Sequence, residues 1–348
     1  MIRFNCDYSE GAHPQVLEKL AQTNLEQTPG YGNDIYCQQA ADLIKSLCKA
    51  PQAEVHFLCG GTQTNLTVIA AMLRPYQGVI SADTGHINVH ETGAIEATGH
   101  RILTAPSKDG KITAAQIDAL CQAHWQDDNP EFAPQPRLVY LSFPTEFGTM
   151  YTKQELLDIR RACDENKLFL FVDGARLGYG LAVPGNDITL PDLAACCDAF
   201  YIGGTKLGAL LGEAVVIPNE KIQKDFRYFV KQKGAMLAKG RVLGLQFLAL
   251  FEDGLYFKLG AHANEQAERI RKALATTGFP AAYDSATNQQ FFVLPNDLLK
   301  KLEEMYAFSH IAPVGHDKKL IRICTSWATR AEDVSQFIED FNVLTEDI

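Results

Sequence analysis

The chain has 348 residues, 46% of them hydrophobic, enough for a large core and for two domains rather than one. Its 32 basic and 42 acidic side chains leave a net charge of −10, which argues against a nucleic-acid partner. No apolar run reaches the roughly 18–20 residues that cross a bilayer, and residues 1–7 lack the apolar stretch of a secretion signal, so a cytoplasmic protein with no membrane partner is expected.

From about residue 37, short apolar runs alternate with amphipathic segments. The predicted strands are Glu54–Cys59, Gly78–Ser81, Arg101–Thr104, Arg137–Phe143, Leu168–Asp173, Ala199–Gly203 and Ala214–Pro218. Helical patterns fall between them, among them Thr64–Arg74, Ala114–His124 and Lys153–Asn166. The unbroken apolar run Leu168-Phe169-Leu170-Phe171-Val172 suits a strand buried on both faces. Such alternation predicts an α/β fold, a mostly parallel seven-stranded sheet flanked by helices, with its site at the carboxyl ends of the strands. After Ile217, Lys221–Glu252 reads as one long helix with interleaved basic residues and Leu259–Thr276 as another. Strands at Gln289–Leu294 and Lys319–Cys324 and a helix at Ala331–Leu344 follow. This divides the chain into a large domain, 1–250, with an N-terminal arm over about 1–30, and a small α+β domain, 251–348. Ala123–Pro136 reads as a surface excursion. The nine cysteines are irregularly spaced with no Cys-x-x-Cys, which points to reduced thiols; the Cys196-Cys197 pair reads as packing.

Two strand ends carry the chemistry. Asp173 closes one apolar strand, in Asp173-Gly174-Ala175-Arg176, and Lys206 follows the next, in Gly203-Gly204-Thr205-Lys206-Leu207-Gly208. An acid ending a buried strand needs a positive partner, either Arg176 or a protonated ring nitrogen. An amine in the neighbouring loop can form a Schiff base. That pairing is what pyridoxal phosphate chemistry requires. Upstream, Cys59-Gly60-Gly61-Thr62-Gln63-Thr64-Asn65 leaves a strand and opens a helix. It reads as a phosphate turn or, taken alone, as a tight turn capped by Thr. Gly85-His86-Ile87-Asn88-Val89-His90-Glu91 could stack an imidazole on a ring, hold a metal, or cap the following helix, though no third ligand cluster supports the metal. Arg322 lies on the apolar strand Lys319–Cys324, sharing a face with Leu320 and Cys324. It fits either a bound carboxylate or a structural acid.

Together these motifs resemble the threonine aldolase branch of the aromatic amino acid β-eliminating lyase/threonine aldolase family, in the fold type I pyridoxal phosphate group. The resemblance covers nearly the whole chain in order: Gly32-Asn33-Asp34-Ile35-Tyr36, Gly60–Asn65, His86 with Glu91 and Gly93, Asp173–Arg176, Thr205-Lys206-x-Gly208, and Arg322-x-x-Thr325. It implies that Lys206 bonds the cofactor, Asp173 pairs with its ring nitrogen and His86 stacks on the ring. Gly61, Thr62 and Thr205 would hold the phosphate, Arg176 would lie near the ring oxygen and substrate, and Arg322 would take the substrate carboxylate. The implied reaction is retro-aldol cleavage of a β-hydroxy-α-amino acid to glycine and an aldehyde. The alternatives are β-elimination from an amino acid and, more remotely, a silent binding protein. It also implies a homotetramer or homodimer with sites at subunit interfaces, where Lys231, Lys233, Lys239 and Arg241 could reach a neighbour's phosphate or simply form a solvated helix face. The chain departs from the family at Phe143-Pro144-Thr145-Glu146-Phe147-Gly148, where Glu146 replaces the His proposed to act on the substrate hydroxyl. It departs again at Asn5-Cys6-Asp7, where a thiol replaces a hydroxyl. Glu146 is therefore read as the substitute base, as a group that binds a cationic substrate, or as a solvated loop acid.

Overall fold

In the computed structural model, which describes residues 1–346, one sheet organises the larger part of the chain. Its strands are β1 (Glu54–Leu58), β2 (Gln77–Ala82), β3 (Ile102–Ala105), β4 (Gln135–Ser142), β5 (Phe169–Asp173), β6 (Ala199–Gly203) and β7 (Glu213–Ile217). Across the sheet they lie in the order β1-β7-β6-β5-β4-β2-β3. Every pairing from β6 to β3 is parallel, whereas β7 runs antiparallel to both its neighbours. A parallel return needs a long crossover, and the stretch from Gly203 to Glu213 contains no helix, so β7 must fold straight back. β5, β6 and β7 are buried almost throughout, as their uninterrupted apolar runs require of strands covered on both faces.

Two apolar clusters fill the faces. One gathers residues such as Ile80, Val139, Leu170 and Phe200 and the other Val79, Leu138, Phe171 and Tyr201, so successive residues of one strand enter opposite layers. A third cluster, including Phe292, Leu294, Ile321, Phe337 and Phe341, forms around a three-stranded antiparallel sheet of Gln289–Pro295, Lys318–Cys324 and Ser309–Val314. Phe4 is buried in that same cluster, and Ile2–Arg3 pairs in parallel with Tyr306–Ala307. The strand at Ile2–Arg3 is thereby fastened to one about 300 residues further along the chain.

The expected helix over Lys221–Glu252 is three helices, Glu220–Gln223, Phe226–Gln232 and Arg241–Phe251. Asp225 and Gly234 take φ of 65° and 73°, left-handed values that no α-helix continues through. The next helix begins at Leu255, four residues earlier than its pattern suggested, and runs to Thr276. Helices at Pro14–Gln22 and Ile35–Leu47 precede the first strand of the large sheet.

Candidate active site

Parallel strands deliver their side chains at one edge, and here four loops at carboxyl ends converge. His86 follows β2, Glu146 follows β4, Asp173 ends β5 and Lys206 follows β6. All four line a cavity of about 240 Å³ together with Gly61, Thr62, Arg176 and Thr205. An outer cavity of about 580 Å³ shares His86, Glu146, Arg176 and Lys206 and adds Arg322. Gly61, Thr62, His86, Glu146, Asp173, Arg176, Thr205, Lys206 and Arg322 are therefore each at one of these two spaces.

Asp173 is 4% exposed and accepts four hydrogen bonds. Oδ2 accepts from Asn65 Nδ2 at 2.9 Å and the Tyr140 hydroxyl at 2.6 Å; Oδ1 accepts from the Tyr201 hydroxyl at 2.5 Å and the Ala175 N–H at 2.9 Å. Burial alone would raise this carboxyl, but His86 and the two phenols outweigh it and keep it below the usual carboxylate range. Asp173 is thus held as an anion. Gly174 follows because nothing larger fits: an added Cβ would stand 1.9 Å from the Tyr201 carbonyl oxygen.

Of the two partners weighed for Asp173, Arg176 is taken elsewhere. Its Nε donates to Asp7 Oδ2 at 2.8 Å and one terminal nitrogen to Asp7 Oδ1 at 3.0 Å. Asp7 is fully buried and also accepts from Asn288 Nδ2 at 2.9 Å. Burial opposes its ionisation, yet Arg176 and Lys206 bring its pKa down to about 2. Cys6, beside it, contacts Ser9 Oγ at 3.2 Å and lines neither cavity.

His86 opens a short helical turn, His86–Val89. Its Nδ1 lies 2.7 Å from Glu91 Oε1, and that same oxygen accepts from Asn65 Nδ2 at 2.7 Å. Glu91 is buried and aims the imidazole rather than capping a helix. Through Asn65 it joins the Asp173 network, so the spacing of His86 and Glu91 has a physical cause.

Glu146 Oε1 accepts from the Ser142 hydroxyl at 2.5 Å and from the His86 backbone N–H at 2.9 Å. Burial raises its pKa, and the nearby Asp173 charge adds to the rise. Lys206 is half-buried and, among the described residues, in no ion pair. Burial, then Arg176, lowers its pKa, which favours the neutral amine. Arg322 likewise has no acid partner among the described residues. Its terminal nitrogens reach Gln289 Oε1 at 3.0 Å, the Asn5 carbonyl at 3.1 Å and Ser309 Oγ at 3.3 Å, and its buried Nε has no hydrogen-bond partner.

The helix Gly61–Met72 starts after Gly60, whose lack of a side chain leaves the first-turn N–H groups without a side-chain cap. Gly61 and Thr62 of that turn line the inner cavity, so its positive end and free donors suit a phosphate. A buried anion for a ring nitrogen, an unpaired amine and an uncapped helix start therefore fit pyridoxal phosphate. Of the basic residues considered for a neighbouring subunit, Arg241 is used within the chain, donating to the carbonyls of Glu26 and Asn24.

Sequence reasoning missed Tyr140, Tyr201 and Asn65 as partners of Asp173. Period two offered a signal for one of them: Tyr140 shares a strand face with Ser142, two residues before the loop that bears Glu146.

The family model described as beta-eliminating lyase matches residues 6–296. The chain is 30% identical to the low specificity L-threonine aldolase of Pseudomonas sp. (strain NCIMB 10558), over 98% of this chain and 97% of that one. A solved structure of Leishmania major threonine aldolase is 44% identical, with a TM-score of 0.97, covering 99% of this chain and 100% of the other. Aspartate aminotransferase from Thermus thermophilus, at 14% identity and a TM-score of 0.70 over 99% of this chain and 91% of that one, shares the fold.

Proposed function

The chain belongs to the beta-eliminating lyase family, and on that footing we propose that its two adjoining cavities form the site of a pyridoxal phosphate-dependent lyase that cleaves β-hydroxy-α-amino acids of the threonine class to glycine and an aldehyde. One observation carries the site: Lys206, an amine free of ion pairs among the described residues, and a buried carboxylate, Asp173, line the same cavity from adjacent strands. When bound there, pyridoxal phosphate supplies an electron sink for the pair released as the Cα–Cβ bond breaks.

The chain's own residues do the rest. Lys206, biased towards the neutral amine, is the nucleophile that bonds the cofactor. Asp173, biased towards the anion, keeps a ring nitrogen protonated. The Gly61–Thr62 turn and Thr205 hold the phosphate, and Glu91 sets the His86 ring for stacking. Arg322, with no acid partner among the described residues, takes the substrate carboxylate, and Arg176, fixed by Asp7, closes the space beside it. Glu146 takes the β-hydroxyl proton. Its raised pKa makes the carboxylate a better acceptor than an exposed acid would be.

A homo-oligomer, tetramer or dimer, with sites at its interfaces is part of this reading. Tyr228 and Tyr31, 76% and 47% exposed, support it by forming with Arg227 and Met236 an open, largely apolar face. Cytoplasmic residence is supported by nine free cysteines. The test is product analysis: the purified protein with threonine and pyridoxal phosphate should release glycine and an aldehyde. A 2-oxo acid and ammonia in their place would assign β-elimination, and no turnover of any amino acid would overturn both.

A further inference from the structure

Glu213 begins β7 opposite Gly203 of β6, at the base of the turn that carries Thr205 and Lys206. It is 3% exposed and lines the inner cavity. Its Oε1 accepts from the Thr205 hydroxyl at 2.8 Å and its Oε2 from the Gly204 N–H at 3.2 Å. Thr205 Oγ1 in turn accepts from the Gly212 N–H at 3.0 Å. A threonine hydroxyl has one proton to give and two lone pairs to fill. While Glu213 is ionised, that proton is committed to Oε1 and Thr205 has none for an anion. In the acid form the bond reverses. The Glu213 O–H donates to Thr205 Oγ1, both lone pairs of which are then filled, and the Thr205 proton is free to point elsewhere.

Resting on the reading of Thr205 with Gly61 and Thr62 as the phosphate site, we infer that Glu213 is a positioning residue that must carry a proton for Thr205 to donate to the cofactor phosphate. Where Glu213 starts ionised, loading the phosphate then takes one proton from solvent onto it, and no covalent bond to carbon changes. An ionised Glu213 would also set a second negative charge against the phosphate in a space with little water to screen it. Burial raises the Glu213 carboxyl to about 8, against the Thr205 hydrogen bond and Lys206, which lower it, while Asp173 adds to the rise. The other titratable groups facing it are Tyr201 of β6 and Tyr256 of the helix Leu255–Thr276, both held well above the usual phenol range, and Cys59 after β1, raised by burial.

The test titrates cofactor-free protein with pyridoxine 5′-phosphate, which has no aldehyde to bond Lys206, and with pyridoxine, by isothermal calorimetry from about pH 6.5 to 9.5. The ratio of the two dissociation constants reports what the phosphate adds and cancels titration of the ring. In the wild-type protein this ratio should hold steady to about pH 8 and then fall, approaching tenfold per pH unit. Glu213→Gln keeps a neutral donor for Thr205, so its ratio should fall through pH 9.5 only as far as loss of the Lys206 charge carries it. Loss of the Lys206 charge weakens anion binding in both proteins, so the difference between the two curves assigns the effect to Glu213. A wild-type ratio that stays flat, or one that falls equally in Glu213→Gln, overturns the proposal, and the first of these needs no variant to fold. A ratio near one at every pH overturns the phosphate-site reading itself.

Discussion

Asp7 and Arg176, 169 residues apart in the chain, meet as a fork-to-fork ion pair with nitrogen–oxygen distances of 2.8 and 3.0 Å. Asp7 is fully buried and Arg176 mostly so, so each charge depends on the other for much of its solvation. Asp7→Asn leaves a buried guanidinium without its counter-ion and should destabilise the protein by about 3–5 kcal/mol. The folded pKa of Asp7, about 2, lies below the ordinary 3.8. The stability it contributes is therefore fully present above about pH 4 and is lost as pH falls towards 2. Urea midpoints of wild type and variant should differ at pH 7 and converge at low pH; equal midpoints at pH 7 would remove the pair from the stability of the fold.

Lys206→Ala should abolish turnover and leave no cofactor that borohydride can fix to the chain. A variant that retains both a borohydride-fixed adduct and near-normal activity would move the nucleophile to another lysine.

Asp173→Asn keeps the size of the side chain and its acceptor for the phenols but removes the charge. Without an anion the ring nitrogen loses its proton, and the rate should fall on the order of 10²-fold or more while some cofactor stays bound. Activity within about twofold of wild type would exclude the role.

Arg322→Lys replaces a planar fork by a point charge and should mainly raise KM. The expected loss is roughly 1.5–3 kcal/mol, at least tenfold in binding. The measurement is KM for each amino acid cleaved, and unchanged values would make Arg322 purely structural.

Glu146→Gln should lower kcat for glycine release by roughly 10²–10⁴-fold, the span expected when a general base is lost. The base works only when ionised and burial raises its pKa, so the acidic limb of the wild-type rate profile should lie above the ordinary 4.5 of a glutamate. That limb should vanish in the variant's residual activity. A Gln variant as fast as wild type would end the base role.

The convergence of Lys206, Asp173 and His86 was legible because each ends or follows an apolar run, and parallel strands bring such positions to one edge, whereas Glu146 came from the resemblance. Tyr140 and Tyr201 were not, because a phenol in an apolar strand reads as core until an acid is found against its hydroxyl. Nor was the partner of Arg176, since local pattern cannot choose among 42 acids. The seven strands of the large sheet followed from alternation, whereas the break of Lys221–Glu252 depended on left-handed backbone at Asp225 and Gly234 that basic, helix-favouring residues concealed. Glu213 fell one residue outside the strand expected at Ala214–Pro218, although an acid opening so apolar a strand was itself a signal.

The pairing of Ile2–Arg3 with Tyr306–Ala307 sets the order in which the molecule can become competent. The large sheet is complete once Ile217 has left the ribosome, yet Ile2–Arg3 must wait for Tyr306–Ala307 before they have a strand to join. Asn5, which holds Arg322, and Asp7, which holds Arg176, lie on that waiting segment. A nascent or prematurely ended chain can therefore build its sheet around Lys206 and Asp173 while both arginines still lack these anchors. Both arginines are set only once the strand at Tyr306–Ala307 is present.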